Sequence, residues 1–159
     1  MVIMSGKLKS INISKKRGTQ KKPVQSAYLV FGKGIKEDAH FDPSDPTRQV
    51  SLLANESVAK QQKELDEKKT GVQLQDGAFA ENLTTEGVGI TDLVIGDMIK
   101  IGTEVILEVS RIGKTCHNKC EIFHLTGDCI MPREGIFGKV IKSGTIRVDD
   151  DIVIIKANK

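Results

Sequence analysis

Three thiols, two imidazoles and several cations fall within one short stretch, Arg111 to Phe137. It holds Cys116, Cys120 and Cys129, His117 and His124, with Lys114 just ahead of the first cysteine and Arg133 near the end. Side chains of these types hold soft metals, carry sulfur or grip phosphate. Cys116-His117-x-x-Cys120 followed by Cys129 offers zinc a set of ligands with His117 or His124 as the fourth, although the second paired knuckle of a structural zinc site is missing. Buried cysteines also act as small hydrophobes, which suits Cys129 ahead of Ile130 and Met131. Cys116 differs from both. Lys114 and His117 flank it, and a cation near the sulfur favours the thiolate, which is both nucleophile and metal ligand. Cys116 is the candidate working thiol.

The elements that must position this stretch are short. A chain of 159 residues fits one domain, here residues 1–159, and a domain of that size buries roughly 68–70% of its unfolded surface, so a core forms without disulfides. The opening Met-Val-Ile-Met-Ser-Gly-Lys-Leu-Lys has no apolar run long enough for a signal peptide, and no later stretch approaches the ~20 apolar residues of a membrane span. A soluble cytoplasmic protein with reduced thiols is expected, with no membrane partner. The net charge is +3, but Lys7, Lys9, Lys15, Lys16, Arg17, Lys21 and Lys22 follow one another with no acid among them. That run reads as a solvated hairpin rim or as a contact for an anion. With no Trp and one Tyr, stacking platforms for single strands are scarce and nucleic acid is not expected as a partner.

Leu8 to Ile13 reads as a first strand, followed by a turn at Lys16-Arg17-Gly18. Val24 to Phe31 reads as a second extended piece in which Ala27, Leu29 and Phe31 share a face. Lys36 to Asp45 is rich in Asp, Glu, His and Pro and predicts a long loop, with His40 either a solvated side chain, the commoner case, or a functional one. Arg48 to Ala54 leads into the one clear helix, Asn55 to Lys69, with Asn55 as N-cap and a thin apolar stripe of Val58 and Leu65. Gly77 to Thr85 is a polar, turn-prone segment. Leu93 to Ile101 and Thr103 to Ser110 alternate as a hairpin, and Ile136–Ile141, Thr145–Val148 and Ile152–Ile155 supply three further strands. Many short strands with one or two helices argue for a barrel or a strongly bent sheet.

Taken in order, the motifs resemble a known family. Asp76-Gly77-Ala78-Phe79-Ala80-Glu81-Asn82-Leu83-Thr84-Thr85-Glu86-Gly87, then Leu93-x-Ile95-Gly96-Asp97-x-Ile99-x-Ile101-Gly102, then Cys116, then Gly135-Ile136-Phe137-x-x-Val140-x-x-x-Gly144 is similar to the MOSC domain, named for the C-terminal domain of molybdenum cofactor sulfurase. Cys116-His117-x-x-Cys120 with Gly127-Asp128-Cys129-x-Met131-Pro132-Arg133-Glu134-Gly135 resembles its small stand-alone bacterial members. Ile11-Asn12-Ile13-Ser14 and Arg48-Gln49-Val50-Ser51-Leu52-Leu53 match the family's opening. The resemblance covers nearly the whole chain.

The resemblance implies a mostly β fold, a closed or nearly closed barrel like that of pyruvate kinase, with a few helices. It implies molybdenum cofactor (molybdopterin) as ligand, and Cys116 as the thiolate that ligates molybdenum or carries sulfur. A soft thiolate suits both tasks. Glu81, Asn82, Thr84 and Thr85 match the family's polar pocket loop, Lys114 and His117 flank the thiol, and Arg48 and Arg133 are the pair suited to a pterin phosphate, with a surface ion pair to Glu134 as the other reading of Arg133. Two departures stand out. The family often has Gly-Asp-Ala-His-Ala-Gly where this chain reads Lys36-Glu37-Asp38-Ala39-His40-Phe41-Asp42, so the glycines flanking the histidine are lost. The usual Gly-Asp before the last strand is Asp149-Asp150, where Asp tolerates left-handed geometry next best after glycine and the turn is expected to persist. No pyridoxal-phosphate desulfurase domain is recognisable in the sequence, so a cysteine-desulfurase-type sulfur donor, or a molybdoenzyme partner, is expected as another chain. Sulfur carrier or transferase, and molybdenum-dependent reductase, are the activities implied. The alternatives are a non-catalytic small barrel with a structural metal, and a redox thiol protein acting on hydroxylated base analogues.

Overall fold

The structure is a computed structural model and describes residues 3–113 and 129–157. Seven strands close a barrel: β1 (Ile3–Ile13), β5 (Val50–Ala54), β6 (Leu83–Glu86), β7 (Met98–Ile101), β8 (Val105–Ile112), β9 (Ile136–Lys142) and β11 (Asp151–Ile155). Around the ring they run β1-β11-β7-β8-β9-β5-β6 and back to β1. Only the β5–β6 pair is parallel, joined through helix α1 (Asn55–Glu67). β1 closes the ring because it is long: Ile3–Lys7 pairs with β11 and Lys7–Ile11 with β6, a bulge between Leu8 and Ser10 separating the two registers. Its last residues also pair with β2 (Lys22–Val24).

Alternation fills the barrel as the sequence predicts. Ile99 and Ile101 on β7 and Val105, Leu107 and Val109 on β8 are fully buried, and their neighbours along each strand face outward. Each such side chain contributes about 1.5–3 kcal/mol through removal from water. A small sheet of β3 (Ser26–Val30), β4 (Gly34–Ile35) and β10 (Gly144–Arg147) adds Leu29, Ile35 and Ile146 to the same core. A second cluster, Leu53, Ala78, Phe79, Ile130, Met131 and Phe137, joins the barrel wall to the short helix α2 (Met131–Glu134).

Four local expectations change. Phe31 does not share the face of Leu29: β3 stops at Val30, where the chain turns through Gly32 at φ +72°, and Phe31 lies 62% exposed. Ala54, not Asn55, is the helix N-cap, in extended geometry and without a side-chain cap bond, and the Asn55 amide donates to Glu86 on β6. The strand predicted from Leu93 starts only at Met98. Ahead of it the buried Asp97 carboxylate accepts from the backbone of Val94 and Ala157 and from Lys156, and so organises a loop. Lys21 is not part of a solvated rim but fully buried. The Asp149-Asp150 turn persists, with Asp149 at φ +75°. Among the described residues no helix is long and apolar enough to cross a membrane.

Candidate functional site

The loop after β4 is held from below by a buried ion pair. Asp38 sends one carboxylate oxygen to the Lys21 ammonium at 2.8 Å and to the Ser14 backbone N–H at 3.1 Å. Its other oxygen accepts from the backbone N–H of His40 at 3.0 Å, an Asx-type turn that fixes the histidine two residues on. Lys21 and Asp38 side chains are 0% and 1% exposed. Burial alone would raise the Asp38 carboxyl, but hydrogen bonds from His40 and Lys21 and the lysine charge outweigh it and hold the group far below the usual carboxylate range. The lysine Nζ also lies 3.0 Å from Ser14 Oγ and 3.3 Å from His40 Nδ1. Glu37 and Asp42, at φ +77° and +54°, take left-handed conformations on either side of His40. These are the flanks where the glycines of the resembling pattern are lost, and here non-glycine residues take the left-handed conformations.

Above this support His40 opens onto a cavity of about 300 Å³ lined by Arg17, Gly18, Pro43, Ser44, Asp45, Arg48 and Phe137. Arg17 comes from the β1–β2 hairpin. Arg48 ends a 3-10 turn, Pro46–Arg48, that Asp45 caps by accepting from Thr47 N at 3.0 Å. Asp45 also takes the Thr47 hydroxyl at 2.7 Å and the Arg111 guanidinium at 3.1 Å, and these contacts, the threonine foremost, hold its carboxyl below the ordinary value. Arg48 Nε is 3.5 Å from Asp45, an ion-pair distance without hydrogen-bond geometry, and this buried N–H has no hydrogen-bond acceptor. Arg111 lies opposite Phe137 in the β8–β9 register, and Gly113 N bonds Gly135 O. The cavity therefore sits beside the strand end from which the cysteine stretch departs. Cys116, Cys120, His117, His124 and Lys114 themselves lie outside the described residues.

The MOSC domain family model matches residues 36–153. The chain belongs to the MOSC domain family. That family is associated with molybdenum cofactor binding. No curated protein matches the sequence. Among solved structures, YuaD from Bacillus subtilis superposes with a TM-score of 0.74 at 16% identity over 99% of each chain. YiiM from Geobacillus stearothermophilus gives 0.67 at 19% identity, over 98% of this chain and 76% of its own. YiiM from Escherichia coli gives 0.68 at 18% identity, over 96% and 71%. At these identities the likeness concerns the fold.

Within the MOSC barrel the residues marked by sequence separate. Arg48 lines the cavity with His40 and Arg17, whereas Arg133 is exposed on α2 and lines a different cleft with Ser57, Lys60 and Gln61. Glu134 pairs with Ser57 at 2.9 Å. Glu81, Asn82, Thr84 and Thr85 are all buried in the barrel wall, and none lines the His40 cavity. The Glu81 carboxylate accepts from Gly77 N, Phe79 N and the Thr84 hydroxyl, at 3.1, 3.1 and 2.8 Å. Burial raises its carboxyl, and those donors only partly oppose the shift. Asn82, one residue ahead of β6, joins two strands: its Oδ1 accepts from Ser51 N at 3.0 Å on β5 and its amide donates to Asn12 O at 3.2 Å on β1. Cys129 is half-buried against the α2 cluster.

Sequence reasoning missed Lys21, Asp38, Arg17 and Phe137 as parts of the site. The signal for Asp38 was the Asp-x-His spacing, which suits a carboxylate that caps a histidine's own backbone. Lys21 carried no local mark, because its partner is 17 residues away.

Proposed function

We propose that this chain is a molybdenum-cofactor-binding MOSC module in which Arg48 binds the phosphate of the pterin and Cys116 is the sulfur ligand or the sulfur carrier. The single observation that carries the reading is the Arg48 guanidinium in the His40 cavity, with a buried N–H lacking an acceptor, beside the strand end that leads to Cys116. An unmatched buried donor in a polar cavity suits an anionic ligand. Lys114 and His117 then favour the thiolate, and Glu81, Asn82, Thr84 and Thr85 stiffen the wall behind the site. Arg133 stands apart from it. When bound, the cofactor supplies a metal–sulfur centre able to exchange sulfur or electrons; the chain's own residues bind it, orient it and keep the thiol ionised. Sulfur would reach the chain from a desulfurase-type protein or pass to a molybdoenzyme, in a reducing cytoplasm.

The test is elemental analysis with pterin fluorescence after oxidation, on protein made in a host that synthesises the cofactor. Molybdenum and pterin near stoichiometric in the wild type, with Arg48→Ala losing both and Cys116→Ala losing the metal, is the expected result. Pterin retained at full occupancy with no dependence on Cys116 would move the thiol to sulfur transfer. Neither metal nor pterin would overturn the reading.

A further inference from the structure

We propose that the groove between β2 and the outer face of the small sheet docks an acidic, extended segment of a partner protein, with Tyr28 as the anchor. Two cavities of about 730 and 330 Å³ meet there and share Ile13 and Glu37 in their walls. None of their lining residues lines the His40 cavity, so the groove is a separate surface and stands without the cofactor reading. Cavities joined end to end accommodate a run of residues better than one compact group.

The floor is apolar and firmly held. Ile13, Val24 and Ala27 pack their inner sides against the barrel core and are only half-buried. Tyr28 is 47% exposed, yet its main chain is fixed on both sides: it lies opposite Thr145 on β10, and its carbonyl accepts from Lys36 N at 2.9 Å. An exposed aromatic side chain on an ordered main chain has little left to lose on binding, which is what an anchor requires.

The rim selects the charge of the partner. Lys15 and Lys22 line the larger cavity and Lys36 the smaller; all three are exposed, and none has an acid partner among the described residues. Glu37 is the one acid lining either cavity, so three lysines stand against one glutamate. Carboxylates spaced along a partner chain match that surplus. A single strand of nucleic acid fits less well, because one ring gives one stacking platform and Glu37 lies where the two cavities meet. Main-chain pairing is closed as well. β2 ends the large sheet, and Asn12 N bonds Asn82 O on the far side of β1, so its partner Pro23 faces the open edge. Proline brings no N–H to that edge, and the contact must be made by side chains.

The experiment titrates the whole chain with three fluorescein-labelled synthetic peptides of equal length, read by anisotropy. The first alternates Glu and Asp with Leu, the second has Lys in place of the acids, and the third has Ser in place of Leu. The first should bind at least about ten-fold more tightly than the others, with an affinity that falls as salt rises. Backbone amide shifts in ¹⁵N-labelled protein should gather at Ile13, Val24, Ala27 and Tyr28. Tyr28→Ser should weaken binding by about thirty-fold. Lys22→Glu with Lys36→Glu should weaken it by about ten-fold and turn the preference toward the lysine peptide. These lysines are exposed and unpaired, so the double variant keeps its fold even if Tyr28→Ser does not. Equal binding of acidic and basic peptides, shifts gathered at Arg17 and Arg48, or an affinity unchanged in the lysine variant would overturn the proposal. Tighter binding of oligothymidylate, or of phosphatidylglycerol vesicles, lost in the same variant, would give the groove to nucleic acid or to a membrane and overturn it equally.

Discussion

The segment from Gly77 to Thr85 and the segment from Lys36 to Arg48 both read as polar, turn-prone connections, yet one is enclosed in the barrel wall and the other frames a cavity. Both contain a buried carboxylate and a residue forced to positive φ. What separates them is the balance of donors and acceptors. Around Glu81 and Asn82 the carboxylate and the amide both meet protein partners, and the buried atoms left without one, Thr85 Oγ1 and the adjoining Asn12 Oδ1, are neutral oxygens. Around His40 the carboxylates are matched by lysine and arginine, and guanidinium donors are left over at the surface of a cavity. A polar segment with no surplus of charged donors is architecture; one with surplus donors of a single sign is a candidate site.

The most direct way to break this comparison is to remove the support from one side of it. Lys21→Met leaves Asp38 charged, buried and without its ion-pair partner, and should destabilise the protein by about 3–5 kcal/mol in urea unfolding. Adding Asp38→Asn should recover most of that loss, because the penalty is the stranded charge and not the missing contact. A single mutant weakened by less than about 1 kcal/mol would mean that water reaches Asp38.

The barrel was legible in the sequence because strands announce themselves locally. Val105, Leu107 and Val109 alternate with polar neighbours and nothing distant is needed to see it. The MOSC pattern likewise marked Arg48, which lines the His40 cavity. The polar loop was misjudged in kind: Glu81, Asn82, Thr84 and Thr85 have the side chains of a pocket lining, and only the tertiary pairing to Ser51 and Asn12 shows them to be wall. The Lys21–Asp38–His40 support was invisible for the same reason. Its members come from two segments, and a buried lysine has the same letter as an exposed one.

A second test uses pH, since the buried carboxylates of the two segments, Asp38 and Glu81, are shifted in opposite directions. Asp38 is depressed in the folded state, so its contribution is complete above the unfolded carboxyl value of about 3.9 and is lost as pH falls through the lower folded value. Glu81 is raised, so its folded state loses stability as pH climbs from about 4.3 through the higher folded value, and regains it on acidification. Urea unfolding from neutral pH downward should show the advantage of wild type over Lys21→Met/Asp38→Asn shrinking below about pH 4. The advantage over Glu81→Gln should grow over the acid side of neutrality. Parallel slopes would erase the distinction between the two segments.

The smallest effect concerns the left-handed residues. Glu37 and Ala80 sit at φ +77° and +62°, a region that costs an L-residue about 1–2 kcal/mol. Glycine removes that cost but adds about 0.5–1 kcal/mol of unfolded-state entropy. Glu37 is exposed, so Glu37→Gly should gain about 0.5 kcal/mol. Ala80 packs against Phe79 and Leu53 in the α2 cluster, and losing its methyl forfeits about 0.8 kcal/mol of burial, which cancels the gain. Thermal unfolding of the two variants side by side should therefore raise the midpoint only for Glu37→Gly. An equal rise in both would show that the Ala80 methyl contributes nothing to the wall.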